Sequence, residues 1–74
     1  MPKLPIISGN AVIKKLEKHG YRVVRQKGSH VRLRHLNSFE LKPITVPLHK
    51  TIKHGLLNQI IKDAKLTIEQ FIEL

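Results

Sequence analysis

The run His30-Val31-Arg32-Leu33-Arg34-His35 alternates between apolar and polar or cationic side chains. A period of two puts Val31 and Leu33 on one face of an extended strand and His30, Arg32 and Arg34 on the other. Such a strand belongs to a sheet covered on one side only. A slip of one residue would expose Val31 and Leu33, so apolar burial fixes the register and the cationic face with it. The basic face thus follows from hydrophobic patterning, without any count of charges.

The flanking segments supply the cover. Ser8 caps a helix that begins at Gly9 or Asn10. Val12, Ile13 and Leu16 form its apolar stripe, and Gly20 stops it in a left-handed position. From Tyr21 the period becomes two: Tyr21, Val23 and Arg25 point one way, and Arg22, Val24 and Gln26 the other. Lys27-Gly28-Ser29 reads as a tight turn, and Leu36-Asn37-Ser38 as a second. A third strand lies between Phe39 and Val46; Pro43 either interrupts it or delays it to Ile44. After a loop carrying His49 and Lys50, a helix is expected over Gly55 to Lys65, with Leu56, Leu57, Ile60, Ile61 and Ala64 on its apolar face. Thr67-Ile68-Glu69-Gln70 has capping-box spacing, so a short helix from Ile68 follows. Two helices cover one face of three antiparallel strands and leave the other for function. The fold expected is α+β in the order α-β-β-β-α, as one domain over residues 1–74.

The chain has 74 residues. A domain of that size buries only about 60% of the surface its unfolded chain exposes, so a tightly bound partner would stabilise it appreciably. Cysteine is absent, which removes disulfides and favours a reducing, cytoplasmic setting. No signal-peptide pattern opens the chain, and no run approaches the ~18 apolar residues of a membrane span. Fourteen Lys and Arg against five Asp and Glu give a formal charge of +9. The partner favoured is a polyanion, either nucleic acid or an acidic protein; a merely solvated lysine-rich surface is the plain alternative.

Gln26-Lys27-Gly28-Ser29-His30, preceded by the Gly20-Tyr21 helix stop, resembles the signature of HicA-type toxins, small ribosome-independent mRNA interferases. Val46-Pro47-Leu48-His49-Lys50, the Gly55-Leu56-Leu57 segment and the Leu4 to Gly9 opening resemble the same family. The resemblance implies a double-stranded-RNA-binding-domain-like fold with its helices on one face of the sheet. It also implies metal-independent RNA cleavage by a single histidine, which falls on His30, and no cofactor. The implied partners are mRNA and a HicB-type antitoxin that covers the active face and often binds operator DNA within the complex. One departure is visible: the family often has Thr or Ser after the glycine matching Gly55, where this chain has Leu56. That weakens a helix cap and leaves His30 untouched.

The chemistry suits the residues. RNA carries its own nucleophile, the 2′-hydroxyl, so strand cleavage needs proton transfer and charge neutralisation at phosphate. Imidazole, with an ordinary pKa of ~6.5, offers both protonation states near neutral pH. Lys27, Ser29, Arg32, Arg34, His49 and Lys50 are the candidate RNA contacts, with Lys27, Arg32 and Arg34 in reach of His30 along the turn and strand. On residues alone, a histidine opening a strand beside Gly-Ser is more often a turn residue bonded to backbone; the resemblance is what turns His30 toward catalysis. His49 is open as a second proton donor, an RNA contact, a structural residue or part of the antitoxin surface. His19 and His54 sit at helix ends as surface residues, where a cation is mildly favourable. His35 shares the parity of Val31 and Leu33, which fits packing or a turn. No histidine pair has zinc spacing. Tyr21, Phe39 and Phe71 are too few for a stacking platform, so binding rests on phosphate and 2′-hydroxyl contacts with strong salt dependence. Three functions follow: an endoribonuclease toxin that inhibits translation and growth, a non-catalytic RNA-binding module, or an interaction protein that docks an acidic partner. An exposed sheet edge permits a dimer or a toxin–antitoxin assembly without requiring either.

Overall fold

The computed structural model describes residues 3–74. Helix α1 spans Gly9–His19, and the Ser8 hydroxyl accepts a hydrogen bond from the Ala11 amide at 3.2 Å, as the capping pattern requires. Gly20, at φ 113°, ends it. Three strands follow, β1 (Tyr21–Lys27), β2 (His30–His35) and β3 (Ile44–Pro47), paired antiparallel in the order β1-β2-β3. Helix α2 covers His54–Asp63 and α3 covers Ile68–Glu73. The third strand starts at Ile44, the later of the two starts that Pro43 allowed.

The core lies between the helices and one face of the sheet. Val12 and Leu16 of α1 meet Tyr21, Val31, Leu33, Ile44 and Val46, all at most 3% exposed. Leu57, Ile60 and Ile61 of α2 and Phe71 of α3 close it. At about 25 cal/mol per Å² of apolar surface buried, this face supplies the bulk of the stabilisation. Gly9 seats α1 against β3: a Cβ there would run into the Pro47 carbonyl, and the Gly9 amide donates to the His49 carbonyl at 2.9 Å. Lys15 ties α1 to α3, its Nζ donating to the carbonyls of Ile72 and Leu74 at 2.9 and 3.0 Å. The expected capping box is complete, with Thr67 Oγ1 accepting from the Gln70 amide and Gln70 Oε1 from the Thr67 amide.

Strand β1 departs from simple alternation. Val23 pairs with Leu33, yet Arg25 pairs with Arg32, so Val24 is an extra residue, a β-bulge. Beyond it, every side chain of β1 changes face. Arg25 joins the open face rather than that of Tyr21, and Gln26 takes the parity of core residue Val31. Val23 and Val24 are both about half exposed, because β1 is an edge strand and the helices do not reach over its outer side.

The second helix also differs in detail. It begins one residue early and ends at Asp63 rather than Lys65, because Lys65 takes a left-handed φ of 55° and cannot continue it. Leu56 is exposed, not part of the apolar face. No side chain caps α2; its N-cap is Lys53 and Leu56 is the third residue of the helix, so a missing Thr or Ser at position 56 is not the loss of the cap that the sequence suggested. His54 opens this helix, where the dipole disfavours a cation, so only His19 has the helix-end setting expected of both.

Candidate nucleic-acid interface

The hairpin turn presents the end of the central strand. Gly28, at φ 59°, adopts the left-handed backbone that a turn this tight requires. It has open space around its Cα, so its role is conformational. The Gln26 side chain donates to the Gly28 carbonyl at 3.1 Å, and the Ser29 carbonyl accepts from the Leu48 amide at 2.7 Å. The turn is thereby fastened to the loop that carries His49 and Lys50.

His30 opens β2 directly after this turn, opposite Lys27 on β1 and Pro47 on β3. It is exposed, and among the described residues no hydrogen bond engages its ring. The reading of a turn histidine bonded to backbone therefore has no support in the geometry. An open depression of about 240 Å³ surrounds it, lined by Arg25, Lys27, His30, Arg32 and Thr45. The Arg32 guanidinium is oriented by Thr45, donating to its hydroxyl at 3.3 Å. No carboxylate lines the depression. Among the described residues the one ion pair, Lys65–Glu40 at 3.6 Å, is exposed and does not involve these cations.

Lys27 and Arg32 thus meet His30, as the sequence suggested, and Arg25 joins them unforeseen. The sole hint was the pair Val23-Val24, two apolar residues in succession where alternation calls for one. Arg34 shares the open face but lies four residues along the strand, about 13 Å away. It lines a second depression with His35, Ser38, Phe39, Leu41 and Pro43. Ser29, His49 and Lys50 are exposed beside the turn but do not line the His30 depression.

The remaining histidines are held differently. His35 Nδ1 accepts from the Asn37 amide at 3.2 Å, so Nε2 bears the proton and donates to the His19 carbonyl at 2.9 Å. His19 Nε2 in turn donates to the Ala64 carbonyl at 3.1 Å and its ring stacks near Tyr21. His35 is a packing residue, as its parity indicated; His19 is a structural clasp between α1 and α2, which its position in sequence did not reveal. Tyr21, buried beneath both, has its phenol pKa pushed up by burial and by the nearby Asp63 carboxylate. Among the described residues no three His, Asp or Glu side chains converge as a metal site would require.

Residues 9–66 match the family model described as "HicA toxin of bacterial toxin-antitoxin". The chain belongs to the HicA toxin family. The match runs from the first residue of α1 past the end of α2 and contains every residue lining the His30 depression. Membership makes this HicA chain the toxin of a toxin–antitoxin pair, with an antitoxin as its partner. Among curated proteins none matches it. No helix of the described residues is long and apolar enough to cross a membrane.

Proposed function

We propose that this HicA chain is a metal-independent endoribonuclease that cuts mRNA with His30, and that a HicB-type antitoxin silences it by covering the open face. One observation carries the reading: an exposed, unengaged imidazole sits on the central strand in a depression lined by three cations and no carboxylate. That lining attracts a phosphodiester and repels a divalent cation.

The chemistry needs little more. With a phosphate between Arg25, Lys27 and Arg32, the neutral His30 ring takes the proton of the adjacent 2′-hydroxyl. The 2′-oxygen then attacks phosphorus and the bond to the 5′-oxygen breaks; that oxygen takes up a proton from solvent, and the proton held on His30 returns to solvent. The products are a 2′,3′-cyclic phosphate and a 5′-hydroxyl end, with no water consumed. The cations stabilise the charge gathering on the phosphoryl oxygens. Cleavage of messages in the cytoplasm would halt translation and growth.

Separate induction of the wild type and of His30→Ala, followed by growth and message integrity, tests this. The wild type should arrest growth and degrade messages, and purified His30→Ala should cleave about 10²- to 10⁴-fold more slowly while still binding RNA. Equal arrest by both would remove His30 from the mechanism and favour a non-catalytic RNA-binding module. Loss of cleavage on addition of EDTA would overturn the metal-independent route.

A further inference from the structure

We propose that the open face is a three-step phosphate track, built from two opposed arginine pairs and the Lys27–His30 pair on β1 and β2, which holds an RNA strand lengthwise along β2 from His30 to Arg34. It rests on the RNA-cleaving reading and extends it beyond the His30 depression to Arg22 and Arg34, with Arg22 thereby given a binding role.

The register puts like charges directly opposite one another. Arg25 faces Arg32 and Arg22 faces Arg34, while Lys27 faces the imidazole of His30. Directly opposed like charges on neighbouring strands destabilise a sheet. Among the described residues nothing relieves them: all five acidic residues lie in helices or in the loop before β3, and none lies in a strand. Among the described residues the one polar partner on this face is the neutral Thr45 hydroxyl. Anions seated on the rungs would turn that repulsion into attraction.

The spacing selects the anion. Successive rungs are two residues apart on β2, about 6.6 Å, comparable with the step from one phosphate to the next along an extended RNA strand. The bulge at Val24 makes the pairing possible. Without it Arg25 and Lys27 would take the parity of Tyr21, and only the Arg22–Arg34 rung would survive. A local irregularity that leaves an exposed valine in an edge strand thus aligns three rungs on one line.

A short single-stranded oligonucleotide with 2′-O-methyl riboses, which cannot supply the attacking hydroxyl, isolates binding from cleavage. The wild type should bind it with a log K versus log salt slope near −2, since each single-strand phosphate contact contributes about 0.7. Arg22→Ala and Arg25→Ala should each flatten the slope by about 0.7 and weaken binding about fivefold at roughly 0.1 M salt. Lys14→Ala on α1 should do neither. Both arginine variants should melt no lower than the wild type at low salt, because each removal relieves repulsion. Wild-type slopes in both variants overturn the track, as does loss of antitoxin binding with RNA binding intact. Lost binding in the variants, alongside a wild type that fails to cut unmodified RNA, supports the track and sinks the catalytic role separately.

Discussion

The two faces of this sheet are made by the same strands and obey opposite rules. On the covered face Tyr21, Leu33 and Val46 are wholly buried, and among the described residues no polar side chain is buried with them. On the open face β2 presents His30, Arg32 and Arg34, all solvated, and each meets a cation across the strand pair. In β2 the division is residue by residue: Val31 and Leu33 hold the fold, while His30, Arg32 and Arg34 are free to bind. Binding residues need contribute nothing to stability when their immediate neighbours supply it. A small domain can therefore carry a surface that works against its own folding.

Substitutions should separate the faces sharply. Leu33→Ala empties the centre of the covered face and should cost about 2–5 kcal/mol by urea denaturation. Gly9→Ala forces α1 away from the Pro47 carbonyl and should cost about 1–3 kcal/mol in the same measurement, by overpacking at a backbone contact. Tyr21→Phe removes the hydroxyl that donates to the Lys42 carbonyl at 3.0 Å, worth about 1 kcal/mol. It should also change the alkaline limb of stability. The phenol pKa in the fold lies above the ordinary 10.0, so the unfolded chain loses that proton first. Its stabilisation is present below about pH 10 and is lost as pH rises through the folded value. Melting followed from pH 8 to 11 should therefore fall less steeply in Tyr21→Phe than in the wild type. Arg34→Ala, on the open face, should move stability by less than about 0.5 kcal/mol, upward at low salt. A loss comparable to that of Leu33→Ala would erase the distinction between the faces.

Much of this arrangement was legible in the sequence, because one period governs β2 and one cap governs each end of α1. Val31 and Leu33 could be buried together in one register only, and that assigned His30, Arg32 and Arg34 to the open side. Gly20, Ser8 and the Thr67–Gln70 box act through neighbours a few residues away, so their roles survive without tertiary context. Arg25 escaped because a bulge has no period; it is a property of how β1 pairs with β2. Leu56 was assigned to the core because its helix is apolar over more of its circumference than its neighbours can cover. His19 escaped because its partner, the Ala64 carbonyl, lies 45 residues away. The family signature around Gly28-Ser29-His30 located the candidate site, but the alternation could not say which side of β1 would line it.

The extra residue at Val24 also sets which changes in length the chain can absorb. A point substitution there alters one exposed side chain. A deletion would act like a frameshift written in space: Arg25 and Lys27 would trade places with Gln26, and two cations would turn toward the helices at once. An insertion elsewhere in β1 would do the same from the other direction. The identity of position 24 should thus be free to drift while the number of residues between Tyr21 and Lys27 is held constant, so that in β1 the count carries more information than the letter.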